Sequence, residues 1–217
     1  MRVAITGLAG SGKGAISRSL AVRLGLFYID VGLVFRAVAW LVLNHRIKHI
    51  SELHRVVCEE GLWCSWNGSI FSVTISGKRI DHELHSPAIS KMTAELAGSS
   101  VWFNEMRQIA EAVISNHTNL VADGRSVGNV ILPKADFIFL IDASLETRSR
   151  RRFAQLAGIK QQTLDQVRTD IAERDKKDVT RANDPFAVPY GAIVISNESG
   201  TIDACVEKIV HIVTNKT

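Results

Sequence analysis

Short apolar runs alternate with helical patterns of apolar and polar residues along most of this chain. Residues 2–6 form the first apolar run and predict a central strand, and residues 14–24 then predict a helix that ends at Gly25. This alternation is typical of an α/β protein. It also predicts strands at 26–29, 120–122, 137–141 and 192–195, and helices at 30–43, at 103–115, after Ser144, after Thr163 and from Ile202 to Val213.

The alternation is interrupted in the first half of the chain. Three short apolar runs, separated by two turn dipeptides, predict antiparallel strands, and a helix follows Pro87. We interpret residues 44–100 as a subdomain inserted into a single domain of residues 1–217. The runs are at 62–66, 70–75 and 78–80, and the turns are Asn67-Gly68 and Ser76-Gly77. Three nearby histidines, His45, His49 and His54, are interpreted as exposed residues.

The composition is that of a globular protein without a membrane segment. Apolar residues make up 46% of the 217 residues and charged residues 22%, and no apolar run approaches the roughly 20 residues that a membrane span needs. Three cysteines, Cys58, Cys64 and Cys205, lack the spacing of a zinc site. We therefore expect reduced thiols and a cytoplasmic protein. A monomer is a separate expectation.

The net charge of +4 is concentrated in one part of the chain. Residues 148–181 contain ten Lys or Arg residues and five Asp or Glu residues. A basic segment that faces a phosphate site explains this better than a nucleic-acid surface, because aromatic residues do not alternate with the charges. A solvated charged helix is the alternative interpretation.

A glycine-rich stretch joins the first predicted strand to the first helix. The residues are Gly7-Leu8-Ala9-Gly10-Ser11-Gly12-Lys13-Gly14. Glycines allow backbone N–H groups to surround a phosphate, the helix N-terminus adds positive partial charge, and Lys13 can reach the β- and γ-phosphates. The usual hydroxyl residue after the lysine is absent, since Gly14 and Ala15 follow it. A simple turn between a strand and a helix is the alternative.

Acidic residues follow two other predicted strands. Asp30 lies at the end of one strand, where ligand-facing residues of an open α/β sheet collect, although it could also cap the next helix. Asp123, Gly124 and Arg125 follow another strand. Asp123 could hold a magnesium-bound water and Arg125 could bind phosphate; a structural salt bridge in a turn is the alternative.

Four stretches in this order resemble the motifs of the cytidylate kinases, a branch of the P-loop nucleoside monophosphate kinases. The phosphate loop is the first. Residues 30–36 (DVGLVFR) resemble the D-[ST]-G-x-x-[YF]-R element, residues 121–128 (VADGRSVG) resemble the D-G-R-D element, and residues 173–181 (ERDKKDVTR) resemble the E-R-D-x-x-D-x-x-R lid. The inserted antiparallel strands also resemble the enlarged monophosphate-binding region of this family.

The resemblance implies a five-stranded parallel sheet with helices on both faces, a lid at residues 154–184, and transfer of the γ-phosphate of ATP to CMP or dCMP with Mg²⁺. It implies no nucleic-acid or membrane partner. It places the arginines Arg36, Arg125, Arg174 and Arg181 around the acceptor and transferred phosphates, and Asp178 at the acceptor ribose. The implied donor site comprises Gly7, Leu8, Ala9, Gly10, Ser11, Gly12, Lys13, Gly14, Ala15 and Arg151; the implied acceptor site comprises Asp30, Gly32, Phe35, Arg36, Asp123, Gly124, Arg125, Ser126, Arg174, Asp178 and Arg181.

Several positions depart from the family pattern. Val31 replaces a hydroxyl residue, and Ser126 replaces the Asp that in the family reaches the cytosine amino group. A base-contacting arginine of the family aligns loosely near Asn104. The alternatives are therefore a P-loop kinase with another acceptor, such as a modified nucleotide or a small metabolite, and a nucleotide-binding protein with weak catalysis.

The spacing of two arginines leads to a prediction about the lid. Arg174 and Arg181 are seven residues apart, so on one continuing helix they would lie on the same face, about two turns apart. Without an anion they would repel each other, which predicts a segment that closes when phosphates bind. A static network in which these arginines pair with Asp175 and Asp178 is the alternative.

Overall fold

Five parallel strands form the central sheet of the computed structural model, which describes residues 1–158 and 161–215. The strand order is β2-β6-β1-β7-β8, so β1 is central, as the sequence predicts. The bounds are β1 Arg2–Thr6, β2 Phe27–Asp30, β6 Leu120–Asp123, β7 Phe137–Asp142 and β8 Ile193–Ser196. Each predicted strand is present, and none of its ends differs from the predicted position by more than one residue.

The described residues form eight α-helices. The chain runs from β1 towards one edge and from β2 back towards the other, so right-handed connections place α1 on the face opposite to α2. The last helix, α8, packs against α1. The bounds are α1 Lys13–Leu24, α2 Val31–Asn44, α3 Ile50–Glu60, α4 Pro87–Gly98, α5 Ser100–Ser115, α6 Leu145–Leu156, α7 Leu164–Thr180 and α8 Ile202–Thr214.

A second, antiparallel sheet lies between α3 and α4 in the chain. It consists of β3 Leu62–Trp66, β4 Phe71–Ile75 and β5 Lys78–Arg79 in the order β3-β4-β5, which confirms the predicted hairpins. The helix α3, which the apolar pattern does not clearly predict, buries Leu53 and Val56. The division into an insertion at 44–100 and a lid at 154–184 stays a prediction, and residues 159–160 of that lid lie outside the described residues.

Helix ends agree with the sequence at two places and differ at a third. Gly25 has a left-handed φ of +64° after α1, and the side chain of Asp30 accepts a hydrogen bond from Leu33 N at 3.0 Å at the start of α2. By contrast, α7 ends at Thr180, and Arg181 has an extended conformation with ψ of 142°. The idea of one helix carrying both Arg174 and Arg181 is therefore wrong.

The turn after α7 explains this early end. Phe186 N donates to the carbonyl oxygen of Asp178 at 2.8 Å, so the chain folds back on the last turn of the helix. Pro185 cannot donate a backbone hydrogen bond and cannot continue a helix. In the part of the chain that is described, no helix is both long enough and apolar enough to cross a membrane.

Candidate active site

The glycine-rich loop between β1 and α1 is held by a residue from the far end of the chain. Asn197, which follows β8, donates from Nδ2 to the carbonyl oxygen of Ser11 at 2.8 Å. Gly12 has a left-handed φ of +90°, and a Cβ at this position would lie 2.5 Å from Asn197 Nδ2. Glycine is therefore required where this loop meets the helix N-terminus.

Lys13 is the first residue of α1 and lies among groups of both signs. Burial lowers the pKa of its ammonium group, and the charges of Asp123 and Asp30 oppose that effect. Arg125 and Arg174 are also close enough to lower the pKa of Lys13. A cluster with so many cations is suited to hold a polyanion.

Two carboxylates, one buried and one partly buried, lie side by side at the carboxyl ends of adjacent strands. Asp30 of β2 pairs in register with Asp123 of β6. Burial raises the pKa of both, and the neighbouring Asp30 charge adds to the rise for Asp123, whose pKa is about 7. A Cβ at Gly14 would lie 3.2 Å from Asp123 Oδ2, so a larger residue at position 14 would crowd this carboxylate.

The same carboxylates are the candidates for holding magnesium. Carboxylate oxygens are the ligands that Mg²⁺ prefers, and Mg²⁺ commonly keeps several waters and takes only one or two protein carboxylates. No group of three or more His, Cys, Asp or Glu side chains that could hold a metal is found within residues 1–158 and 161–215. The pair Asp30 and Asp123 therefore fits a metal that is held chiefly by water and by substrate phosphates.

Three arginines line the same cavity as Lys13. Arg125 Nη1 lies 2.6 Å from Asp178 Oδ1, and burial, followed by the charge of Arg174, lowers the pKa of Arg125 to about 10. Arg36 Nη1 donates to Leu84 O at 2.8 Å and to Ser90 Oγ at 2.9 Å. Arg174, in contrast, makes no hydrogen bond or ion pair with any described residue.

These contacts settle two of the alternatives left open by the sequence. Arg125 pairs with Asp178, so the salt bridge between Asp123 and Arg125 that was one interpretation of the turn is not formed. Asp175 pairs with Arg148 at 2.6 Å. Neither acidic residue pairs with Arg174 in the described structure, so the static network proposed as an alternative for the lid has the wrong partners.

Arg181 approaches the site from the turn beyond α7. Its Nη2 donates to Ser126 Oγ at 3.1 Å and to Asp184 Oδ2 at 2.8 Å, and its Nε donates to the carbonyl oxygen of Asp184. Ser126 is buried. Asp184 is not among the residues singled out by the sequence, although it lies directly before Pro185.

Two cavities meet at the cationic cluster. The smaller has a volume of about 380 Å³ and is lined by the phosphate loop, α6 and α7. The larger has a volume of about 910 Å³ and is lined by residues from the start of α2, from α4 and from the end of β6. Lys13, Arg125 and Arg174 line both cavities. Groups bound in the two cavities would therefore approach each other at these three cations.

All of the implied acceptor residues line the larger cavity. They are Asp30, Gly32, Phe35, Arg36, Asp123, Gly124, Arg125, Ser126, Arg174, Asp178 and Arg181; Gly14 of the implied donor site also lines this cavity. Ala9 and Gly10 line the smaller one, whereas Gly7, Leu8, Ser11, Gly12, Ala15 and Arg151 line neither. Arg151 Nη2 instead donates to Asn197 Oδ1 at 3.3 Å. Asn104 is exposed on α5 and lines neither cavity.

Sequence reasoning missed Arg148, which joins three parts of the site. Its Nη1 donates to Ala9 O at 3.0 Å and lies 2.6 Å from Asp175 Oδ2, and its Nε donates to Ala143 O at 3.0 Å. The phosphate loop is thus tied to α6 and to α7 through one buried guanidinium. The only signal in the sequence was the basic segment that begins at this residue.

Comparisons with known proteins agree with this geometry. A sequence model of the cytidylate kinase family matches residues 3–215. A cytidylate kinase from Caldanaerobacter subterraneus is 32% identical over 222 residues, which cover 100% of this chain and 96% of that protein. A cytidylate kinase from Ureaplasma urealyticum is 33% identical over 223 residues, with the same coverage of both chains.

Solved structures share the fold at lower identity. A crystal structure of a Thermus thermophilus protein has a TM-score of 0.53 at 19% identity and covers 100% of this chain and 97% of that chain. A shikimate kinase from Acinetobacter baumannii, solved in complex with shikimate, has a TM-score of 0.51 at 13% identity and covers 100% and 94%.

Proposed function

The chain belongs to the cytidylate kinase family, and on that premise we propose that it transfers the γ-phosphate of ATP to CMP or dCMP, giving ADP and the nucleoside diphosphate. One observation carries the proposal: Lys13, Arg125 and Arg174 line both cavities. A phosphoryl group that passes from one nucleotide to another needs cations that reach both nucleotides at once.

The smaller cavity is the proposed ATP side. Backbone N–H groups of residues 7–14 and the N-terminus of α1 would hold the donor phosphates, because these groups are directed at an anion before a helix. Lys13 would contact the β- and γ-phosphates. Its ammonium group is already partly desolvated, so its attraction for a phosphate is stronger than it would be in water.

The larger cavity is the proposed acceptor side. Arg36 is fixed by Leu84 and Ser90, and would bind the acceptor phosphate through its planar fork of donors. Phe35 and the small residues of α4 supply an apolar surface against which a pyrimidine base can lie. Asp178 is held by Arg125 and would contact the ribose.

Transfer itself needs positioning and neutralisation of charge more than covalent help from the protein. An oxygen of the acceptor phosphate forms a bond to the γ-phosphorus, and the bond from that phosphorus to the β–γ bridging oxygen breaks as ADP leaves. Arg125 and Arg174 would offset the charge of the moving group. Arg174 has no partner in the described structure, so it can turn to the phosphoryl group without breaking an ion pair.

Magnesium is the expected metal for this reaction, and the pair Asp30 and Asp123 would hold it through water. When bound, it offsets the charge on the donor phosphate oxygens. Gly14 and Ala15 provide no hydroxyl oxygen, so water and the phosphates would supply the ligand that such a hydroxyl otherwise contributes. Binding of Mg²⁺ also favours the ionised form of Asp123, whose pKa is about 7 in the free protein.

An acceptor screen tests the proposal. ADP release is measured with ATP, Mg²⁺ and each of CMP, dCMP, UMP, AMP and GMP, with Lys13→Ala as the matched control for contaminating kinases. We expect turnover with CMP or dCMP that the variant abolishes. Turnover of a different acceptor alone would indicate another P-loop kinase. ATP binding with no turnover of any acceptor would indicate a nucleotide-binding protein instead.

A further inference from the structure

One wall of the acceptor cavity is formed by a short network around Arg181. Both Arg181 and Ser126 line the cavity, and Asp184 lies behind them with only 8% of its side chain exposed. Asn183 Nδ2 donates to Gly98 O at 2.7 Å, which fixes this turn to the end of α4. The turn that carries Asp184 is therefore part of the cavity wall.

The guanidinium of Arg181 determines whether the Ser126 hydroxyl donates or accepts hydrogen bonds. Nη2 of Arg181 carries two hydrogens, and its two acceptors are Ser126 Oγ at 3.1 Å and Asp184 Oδ2 at 2.8 Å. Ser126 Oγ is therefore an acceptor towards Arg181, and its own proton must be donated elsewhere. The Asp184 carboxylate accepts a hydrogen bond from the same nitrogen of Arg181. Burial raises the pKa of Asp184, and a hydrogen bond from Ser126 opposes that rise.

With its proton directed to Asp184, the Ser126 oxygen has one lone pair left for the cavity. That lone pair can accept a hydrogen bond but cannot donate one. Cytosine has an exocyclic amino donor at the ring position where uracil has a carbonyl acceptor. An oxygen that can only accept a hydrogen bond therefore favours cytosine and repels uracil.

We propose that Asp184 is a positioning residue that orients the Ser126 hydroxyl, so that the acceptor cavity selects pyrimidine monophosphates with an exocyclic amino group over those with a carbonyl at that position. This inference rests on the proposed function, because the selected group belongs to the acceptor. Asp184 acts through Ser126 and Arg181, and it lies in the turn after α7, where its carboxylate accepts a hydrogen bond from Arg181 Nη2 at 2.8 Å.

The test compares CMP with UMP in the full-length protein. Asp184→Asn keeps the size of the side chain, but its amide can donate to Ser126 Oγ and leave the hydroxyl proton free to face the cavity. We expect the ratio of kcat/KM for CMP to kcat/KM for UMP to fall about tenfold, the usual effect of one lost or reversed hydrogen bond. The KM for ATP is expected to stay unchanged, because Asp184 does not reach the donor cavity.

Ser126→Ala is the matched variant, since it removes the oxygen that Asp184 is proposed to orient. It should lower the same ratio, and adding Asp184→Asn to it should have no further effect on the ratio. If Asp184→Asn does not fold, Asp184→Ser replaces it with the same expectations.

Two other results would overturn the inference. An equal loss of activity with CMP and UMP, together with a lower melting temperature, would show a purely structural role for Asp184. An unchanged ratio in a folded Asp184 variant would show that it does not act on Ser126. A wild-type protein that phosphorylates no nucleoside monophosphate would instead contradict the proposed function, which separates the two failures.

Discussion

Replacing Arg148 by Met tests whether one buried guanidinium joins the phosphate loop to the basic segment. The side chain of Arg148 is only 6% exposed, and it bonds Ala9 O, Ala143 O and Asp175 Oδ2. Methionine fills much of the same volume without a charge. The variant leaves Asp175 buried without its counter-ion, and two carbonyl oxygens lose a donor.

The expected loss follows from these contacts. Removing one partner of a buried ion pair costs about 3–5 kcal/mol, and we expect the free energy of unfolding to fall by that amount, since the Asp175 side chain is only 15% exposed. Arg150 on the same helix is the control. It pairs with Glu146 at 2.7 Å, but its side chain is 71% exposed, so Arg150→Met should cost about 0.5 kcal/mol or less.

Urea unfolding followed by circular dichroism gives both free energies, and ATP titration gives the effect on the phosphate loop. We expect Arg148→Met to weaken ATP binding as well, because the carbonyl group of Ala9 is released. The reasoning is refuted if Arg148→Met and Arg150→Met lower the free energy of unfolding equally. It is also refuted if Asp175→Asn in the Arg148→Met background restores no stability, since the isolated carboxylate is the assumed cause of the loss.

Three further predictions concern the site itself. Lys13→Ala should abolish ADP release while the melting temperature changes little, because the lysine acts on a ligand. Unchanged turnover would contradict the assignment of Lys13 to the ATP phosphates. Asp123→Asn should be more stable than wild type above pH 7 without Mg²⁺. The pKa of Asp123 is raised to about 7 in the native state, so loss of its proton destabilises that state increasingly as the pH rises above about 4. Melting temperatures of the two proteins that differ equally at pH 4 and pH 8 would contradict this. Hydrogen exchange in residues 164–180 should slow when ATP and CMP bind together, and Arg174→Ala should lower kcat more than it weakens ATP binding; exchange that ignores both ligands would contradict closure of this segment.

The pattern of apolar residues was sufficient to predict the strands of the central sheet and the position of the glycine-rich loop after its central strand. Strands buried on both faces are short apolar runs, and the glycines before Lys13 stand between such a run and a helix, so both signals are local. The helix α3 was missed although Ile50, Leu53 and Val56 have a helical spacing. Its polar residues, including three histidines in and near it, obscured that pattern.

The contacts of the charged residues could not be predicted in the same way. Arg148 bonds a carbonyl group 139 residues away, and Asp184 lies beside Ser126 only because the chain turns after α7. Such pairings depend on the tertiary fold and leave no periodic trace in the sequence. The end of α7 before Arg181 was a partial exception, because Pro185 close behind it is a local stop signal.

The position of the glycine-rich loop after the central strand has a consequence for how this enzyme can change. The donor cavity is built by α6 and α7, which lie in the chain between β7 and β8, whereas the acceptor cavity is built largely by elements next to β2 and β6, with α7 and the turn after it closing one side. Strand β1 separates these two halves of the sheet. Substitutions in the β2–β6 half can therefore create a preference for a new acceptor while the machinery for ATP is inherited intact.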